Sequence, residues 1–477
     1  METQMDSFRM FLAKQAIKMG NIAGIWKIAL PPLEKVAYKI MIEKGDRIKN
    51  GSYYQREDKY YMVFNVLRAA FKAYDSSSPA FRKRITGIFI KEFLGPTQQS
   101  VKQEFKEKYG VYPPGFITIS PEGRCNLKCK NCYASSIGSN LEKMDSTTFT
   151  RILHEKYEKW GSWFTVISGG EPFMWQDNGI DLIDIAAQHP EQIFMVYTNG
   201  TLIDKVRAQR IASVGNLLPA VSVEGFKNET DNRRGEGTYR RILDAFENMR
   251  QEGVPFGISI TANNNNVDVL FSDEFIDFYF DKQGAVFEWI FQYMPIGRGA
   301  DVAGQLSPEK RREIWFREQE FIRQKRLVVA DFWNSGSLSS GCIAGGREDG
   351  YLYIDWKGNV YPCVFVPYWK DNVGKLLSEQ RSLTDALFSD LFRGIREWQL
   401  SYSFRKPPEI RGNEIRPCFM RDHHEQAHNL FVETGALPGN QSAEICLNDC
   451  SYLNAMKEYD LELSRLLDPI WEEKYRL

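Results

Sequence analysis

Six short apolar runs of strand character recur through the middle of the chain: Phe116 to Ser120, Phe164 to Ser168, Phe194 to Thr198, Ala220 to Val223, Phe256 to Ile260 and Phe287 to Tyr293. Between them lie segments long enough for a helix, such as Ser146 to Trp160 and Tyr239 to Gln251. Strands alternating with helices predict an α/β fold with a parallel sheet and right-handed crossovers. Pro113-Pro114-Gly115 separates the first strand from a Lys-rich, aromatic-rich front. That front reads as helical through Phe8 to Ile42 and again through Tyr60 to Tyr74. On a helical wheel Phe8, Phe11, Leu12, Met19, Ile22 and Trp26 share one side, with Gln15 intruding and Gly20 and Gly24 weakening the helix. Farther on, Gly350 to Trp356, a turn at Lys357-Gly358-Asn359 and Val360 to Phe365 predict a hairpin.

A chain of 477 residues that is 43% hydrophobic can bury a sizeable core in two or three domains. Its net charge of −1 argues against nucleic acid as a partner. The eight cysteines are clustered and no secretory signal opens the chain, so they read as metal ligands in a reducing, cytoplasmic setting. The apolar stretch Ile22 to Leu30 is interrupted by Lys27 and expected to stop at Pro31-Pro32, short of the roughly 20 residues a bilayer span needs. Residues 7–42 carry six basic side chains, Arg9, Lys14, Lys18, Lys27, Lys35 and Lys39, against one acid, Glu34. Such a cationic amphipathic front suits a peripheral anchor on the cytoplasmic membrane face, at about 1 kcal/mol per basic residue. It suits equally a helical cap with its lysines in water.

The chemistry concentrates in Cys125, Cys129 and Cys132, followed at once by Tyr133. Three thiolates are one short of a tetrahedral set, and an iron–sulfur cube held by three cysteines keeps one iron open for a small molecule. A structural zinc knot, or a disulfide pair with a spare thiol, is the alternative. The C-x3-C-x2-C spacing followed by an aromatic resembles the signature of the radical S-adenosylmethionine (radical SAM) superfamily. The resemblance implies a [4Fe–4S] cluster on these cysteines, with S-adenosylmethionine chelated at the open iron through its amine and carboxylate. A low-potential donor, flavodoxin or ferredoxin, would reduce the cluster, and cleavage would yield a 5′-deoxyadenosyl radical that abstracts a substrate hydrogen. It implies also a partial (β/α)6 TIM-like barrel, with the chemistry where strands end.

Cofactor contacts follow from the same resemblance. Ser168-Gly169-Gly170-Glu171-Pro172 matches the family's GGEP turn, whose backbone binds the cofactor ammonium; glycine permits close approach and proline fixes the turn. Thr198-Asn199-Gly200 resembles the TNG segment, and Ser222-Val223-Glu224-Gly225 the ribose-facing segment. Arg233-Arg234-Gly235, after a polar loop that looks disordered, offers Arg234 to the cofactor carboxylate, with Arg233 a solvated charge or a second such group. Asn263 heads an amide-rich loop that suits ribose or carboxylate, or is a bare asparagine loop. Met294, in the segment running to Arg298, lies beside adenine or simply packs.

Cys342, Gly358 and Cys363 resemble the opening of a SPASM or twitch extension, which implies one auxiliary iron–sulfur cluster in a small C-terminal domain. Cys342, Cys363 and Cys418 are the expected ligands, with Cys446, Cys450 or no residue as the fourth. Cys446 and Cys450 stand one turn apart if they share a helix. His423, His424 and His428 are candidates for a histidine ligand or a separate iron or zinc site, or are helix-surface residues. The expected division is 1–112 helical extension, 113–300 barrel, 301–341 helical linker, 342–455 auxiliary domain and 456–477 C-terminal helix. For the substrate, the cationic front favours lipid hydrocarbon tails, modified or coupled by an oxidoreductase at unactivated C–H bonds. The competing class is maturation of a ribosomally made peptide, which would show an early β-hairpin. A non-enzymatic iron–sulfur or zinc interaction module predicts clusters without a cofactor cradle.

Overall fold

The structure, a computed structural model, describes residues 26–43, 51–93, 97–136, 138–139 and 141–476. Seven parallel strands form the wall of the fold: β1 Phe116–Glu122, β2 Phe164–Gly169, β3 Ile193–Thr198, β4 Leu217–Val223, β5 Gly257–Ala262, β6 Glu288–Gln292 and β7 Val329–Asp331. Three more, β8 Tyr351–Ile354, β9 Asn359–Tyr361 and β10 Asp371–Asn372, complete a sheet of order β10-β9-β8-β1-β2-β3-β4-β5-β6-β7. The strands are buried almost throughout, as a parallel sheet covered by crossover helices requires. The packed helices include α1 Trp26–Tyr38, α2 Tyr53–Ser76, α3 Ser146–Trp160, α4 Lys227–Arg234, α5 Thr238–Glu252, α6 Pro308–Arg323, α7 Gln441–Asn448 and α8 Cys450–Lys474.

Two features of the sheet depart from the expected division. The span 301–341, read as a helical linker, contains β7, which pairs in parallel with β6 through Glu288↔Val329. Strand β8, placed by sequence in the auxiliary domain, pairs in parallel with β1 from Phe116↔Tyr351 to Ile119↔Ile354. The sheet therefore runs straight across the expected boundary, bringing chain neighbours of the second cysteine group, Ile343, Val364 and Phe365, to the cavity that the first group lines.

At the front, α1 runs through Pro31 and Pro32 and continues by a π-turn to Glu43, so the expected stop is corrected. Packing of Leu30, Ala37 and Ile42 against Tyr60, Phe64 and Phe71 of α2 outweighs the backbone bonds the prolines remove. Glu34, the one acid of that front, is buried and takes Arg68 and Arg326, the latter at 2.8 Å. The expected apolar positions from Phe8 to Ile22 lie outside the described residues; Trp26 stacks on Phe71 at 6.0 Å. Among the described residues no helix is long and apolar enough to cross a membrane.

The C-terminal part is bolted to the barrel by a fully buried pair. Arg311 of α6 holds Asp422 with two bonds of 2.5 and 3.0 Å, and neither side chain is exposed to solvent. Although burial alone would raise it, Asp422 is held well below the usual carboxylate range by Arg311 and Arg421. Asp422→Ala leaves Arg311 buried without its counter-charge and is expected to destabilise the fold by about 3–5 kcal/mol, read by denaturant unfolding.

Candidate active site

The cysteine loop leaves the end of β1 and is gripped from three sides. Glu122, fully buried, receives the Arg124 amide at 2.9 Å and its guanidinium at 2.9 Å. From the turn after β2, the Gly170 amide donates to the Glu122 carbonyl at 2.9 Å and the Glu171 amide to the Arg124 carbonyl at 2.8 Å. From the end of α4, the Arg233 carbonyl accepts from the Lys130 amide at 2.9 Å.

The third grip was not legible in sequence. Arg298, beyond β6, donates its amide to the Cys132 carbonyl at 3.0 Å, Nη1 to the Cys129 carbonyl at 2.7 Å and Nη2 to the Ser136 carbonyl at 2.6 Å. Gly297 allows this approach: its φ is +71°, and a β-carbon there would lie 2.2 Å from the Tyr133 carbonyl oxygen. The local signal was a Gly-Arg pair just past a strand end. Arg298→Ala releases two loop carbonyls, those of Cys129 and Ser136, while the backbone bond to Cys132 remains, and is expected to lower cluster retention or cofactor cleavage about 10–100-fold, as lost supporting contacts do at metal sites. Iron analysis and a 5′-deoxyadenosine assay check it.

Inside the barrel mouth is a cavity of about 260 Å³. Cys125, Cys129 and Cys132 line it together with Tyr133, Ser168, Gly169, Gly170, Thr198, Asn199, Ser222, Arg234 and Met294. Arg233 lines it too, and the residues before it form α4 rather than a disordered loop. Three expected contact residues stand behind the wall instead. Glu171 is buried and accepts from Thr198 Oγ1 at 2.7 Å and the Asn199 amide at 2.8 Å, tying β3 to the turn after β2. Glu224, with no solvent exposure, faces the arginines and not a sugar; its Oε1 takes Arg234 Nε at 2.9 Å and also Arg233. Asn263 closes its own turn, accepting from the Asn265 amide at 2.9 Å.

Electrostatics follow from burial. The Cys125 thiol is pushed up to about 12 by burial, so as a free thiol it stays protonated until iron displaces the hydrogen. Its sulfur accepts from the Leu127 amide at 3.4 Å and lies 3.9 Å from Asn199 Nδ2. Burial pulls Arg234 down, yet Glu224, Cys129 and Cys132 hold it above the usual arginine value. A fixed positive charge thus faces the thiols across the cavity. The donor set fits an iron–sulfur cluster: soft thiols along one wall, with no carboxylate or imidazole lining the cavity among the described residues. Among the described residues no three of His, Cys, Asp and Glu gather as a single metal ion requires.

The second group is Cys342, Cys363 and Cys418, whose thiols feel one another electrostatically. Burial pushes Cys418 up to about 12 and raises Cys363 as well. Cys446 and Cys450 do not share a helix: the first lies in α7, the second opens α8, and Asp449 between them caps α8. His423 and His424 are buried rather than on a helix surface. His423 is held down to about 3 by burial and bonds the Arg416 carbonyl at 3.2 Å; His424, at about 4 for the same reason, bonds that of Met420 at 2.7 Å. His428 Nε2 lies 3.0 Å from the Leu447 carbonyl.

Residues 119–268 match the Radical SAM superfamily. The chain is 30% identical over 298 residues to mycofactocin maturase MftC of Mycolicibacterium smegmatis, covering 61% of this chain and 74% of that one. It is 27% identical over 331 residues to AdoMet-dependent heme synthase of Methanosarcina barkeri, covering 63% and 87%. The fold is similar to that of Streptococcus suis SuiB bound to its precursor peptide SuiA, with a TM-score of 0.50 at 16% identity over 72% of this chain and 84% of that one. This chain belongs to the radical SAM superfamily and is an enzyme that uses a [4Fe–4S] cluster and S-adenosylmethionine.

Proposed function

We propose that this enzyme matures a peptide or protein substrate by abstracting a hydrogen atom from an apolar side chain. The observation that carries this reading is the cavity itself. Cys125, Cys129 and Cys132 stand at one part of its wall, and Ile343, Val364 and Phe365, the chain neighbours of Cys342 and Cys363, at another. A substrate there lies between two sulfur-rich centres.

In this reading Cys125, Cys129 and Cys132 hold the cluster, and the backbone of Gly169 and Gly170 meets the cofactor ammonium. Arg234, with Arg233 beside it, pairs with the cofactor carboxylate; Thr198, Asn199 and Ser222 face its sugar, and Tyr133 and Met294 close over it. Glu171 and Glu224 position these groups. When bound, cluster and cofactor supply a primary carbon radical, with electrons drawn from a flavodoxin or ferredoxin. Phe116, Phe164, Trp289, Phe291 and Phe332 give much of the remaining wall, and among the described residues no Lys, Asp or Glu lines it. Such a wall excludes water and selects an uncharged, apolar reacting group.

The maturase relative favours a peptide over a lipid tail. The lipid reading rested on the cationic front, most of whose apolar face lies outside the described residues. Deuterium tracing tests the choice. The reconstituted enzyme is given a peptide pool from cells grown on deuterated amino acids, or a lipid extract from cells grown on deuterated fatty acids. Label in 5′-deoxyadenosine from the peptide pool supports maturation; label from the lipid extract alone overturns it and restores the tail-modifying reading.

Cys342, Cys363 and Cys418 are proposed to hold one auxiliary cluster with no fourth protein ligand. Cys342→Ala is then expected to retain uncoupled cofactor cleavage while losing product, measured as the ratio of 5′-deoxyadenosine to modified substrate.

A further inference from the structure

We propose that the Tyr351 hydroxyl donates a hydrogen bond to the Cys363 sulfur and thereby sets the reduction potential of the auxiliary cluster, while its ring forms the partition between that cluster and the substrate cavity. This rests on the reading that Cys342, Cys363 and Cys418 hold a cluster.

Tyr351 opens β8, opposite Phe116 of β1 in the ladder that joins the two cysteine groups. It is 1% exposed and lines the cavity. The ring is fixed on two sides, stacked on Phe116 at 5.1 Å and 4° and edge-on to Phe332 at 6.1 Å and 90°. Its hydroxyl oxygen lies 2.9 Å from Cys363 Sγ and accepts from the Val364 amide at 3.2 Å.

The state of the sulfur decides the direction of the first bond. The amide occupies an acceptor position on the phenolic oxygen, and a sulfur bound to iron has no hydrogen to give. The phenolic hydrogen therefore points to sulfur, which also receives the Phe365 amide at 3.4 Å. Hydrogen bonds to cluster sulfurs draw off negative charge and favour the reduced state, raising the potential. Tyr351 is thus a positioning residue that acts through Cys363, and the same ring meets substrate on its other side.

The test uses full-length protein carrying Cys129→Ala, so that only the auxiliary cluster titrates after anaerobic reconstitution with iron and sulfide. Tyr351→Phe keeps the ring and removes the hydroxyl. Tyr353→Phe removes another buried hydroxyl two residues along the strand, on a ring that packs with Tyr361. The expected result is equal iron and sulfide in all three proteins, with the Tyr351→Phe midpoint potential shifted negative and that of Tyr353→Phe unmoved. Replacing Tyr351 with 3,5-difluorotyrosine, a stronger donor, is expected to shift the potential positive, and decides the matter if Tyr351→Phe does not take up the cluster. An unchanged potential at full iron content overturns the inference, as does an equal shift in Tyr353→Phe. A parent protein without iron and sulfide overturns instead the auxiliary-cluster reading beneath it.

Discussion

Cys129→Ala is expected to bring 5′-deoxyadenosine formation to background and to remove a cluster's worth of iron from the reconstituted protein. The expectation is strict because the substitution takes away the sulfur and little else. The backbone contacts that hold the loop, such as the Cys129 carbonyl accepting Arg298 Nη1 at 2.7 Å, survive in the alanine variant. What disappears is one of the three proposed ligands, and two thiols cannot hold a cubane that already leaves one iron open. Chromatography of the reduced reaction mixture, alongside iron and sulfide analysis, reads both effects. Retained turnover would remove Cys129 from the ligand set.

Gly170→Ala is expected to lower cofactor cleavage about 10–100-fold, the range for lost support around a metal site, with the fold intact. A β-carbon on Gly170 would lie 1.9 Å from the Arg124 carbonyl oxygen and 2.5 Å from its carbon. The turn cannot simply step back, because the Gly170 and Glu171 amides are bonded to the Glu122 and Arg124 carbonyls at 2.9 and 2.8 Å. The turn and the cysteine loop must therefore part, which moves the proposed backbone seat of the cofactor away from the proposed cluster ligands. Gly87→Ala is the control, since a β-carbon at that helical glycine meets nothing within 4 Å. Binding of S-adenosylmethionine by equilibrium dialysis and 5′-deoxyadenosine yield should both fall in the first variant and neither in the second.

Chemistry written in short spacings was the legible part of this protein. The three cysteines before Tyr133, the Gly169-Gly170 turn and the strand-end segments at Thr198 and Ser222 are local patterns, and all of them line one cavity. The illegible part was long-range. Strand β7 has three residues, too few to show a period. The pairing of β8 on β1 joins positions more than two hundred residues apart, which no local pattern encodes. Residue type marked Glu171 and Glu224 as polar site groups but not which way they face, and both proved to hold their neighbours. The role of Arg298 depends on three carbonyls that only the fold brings together. The prolines of α1 misled because a tertiary contact, Leu30 and Ala37 on α2, overrides their local preference.

Cys125, Cys129 and Cys132 are proposed to present an iron open to the cofactor. Low-temperature electron paramagnetic resonance of the reduced, reconstituted protein with S-adenosylmethionine carrying 15N in its amino group and 17O in its carboxylate tests this directly. Hyperfine coupling from both labels to the cluster spin, lost in Cys129→Ala, is the expected result. An intact reduced cluster whose spectrum shows neither coupling would contradict it.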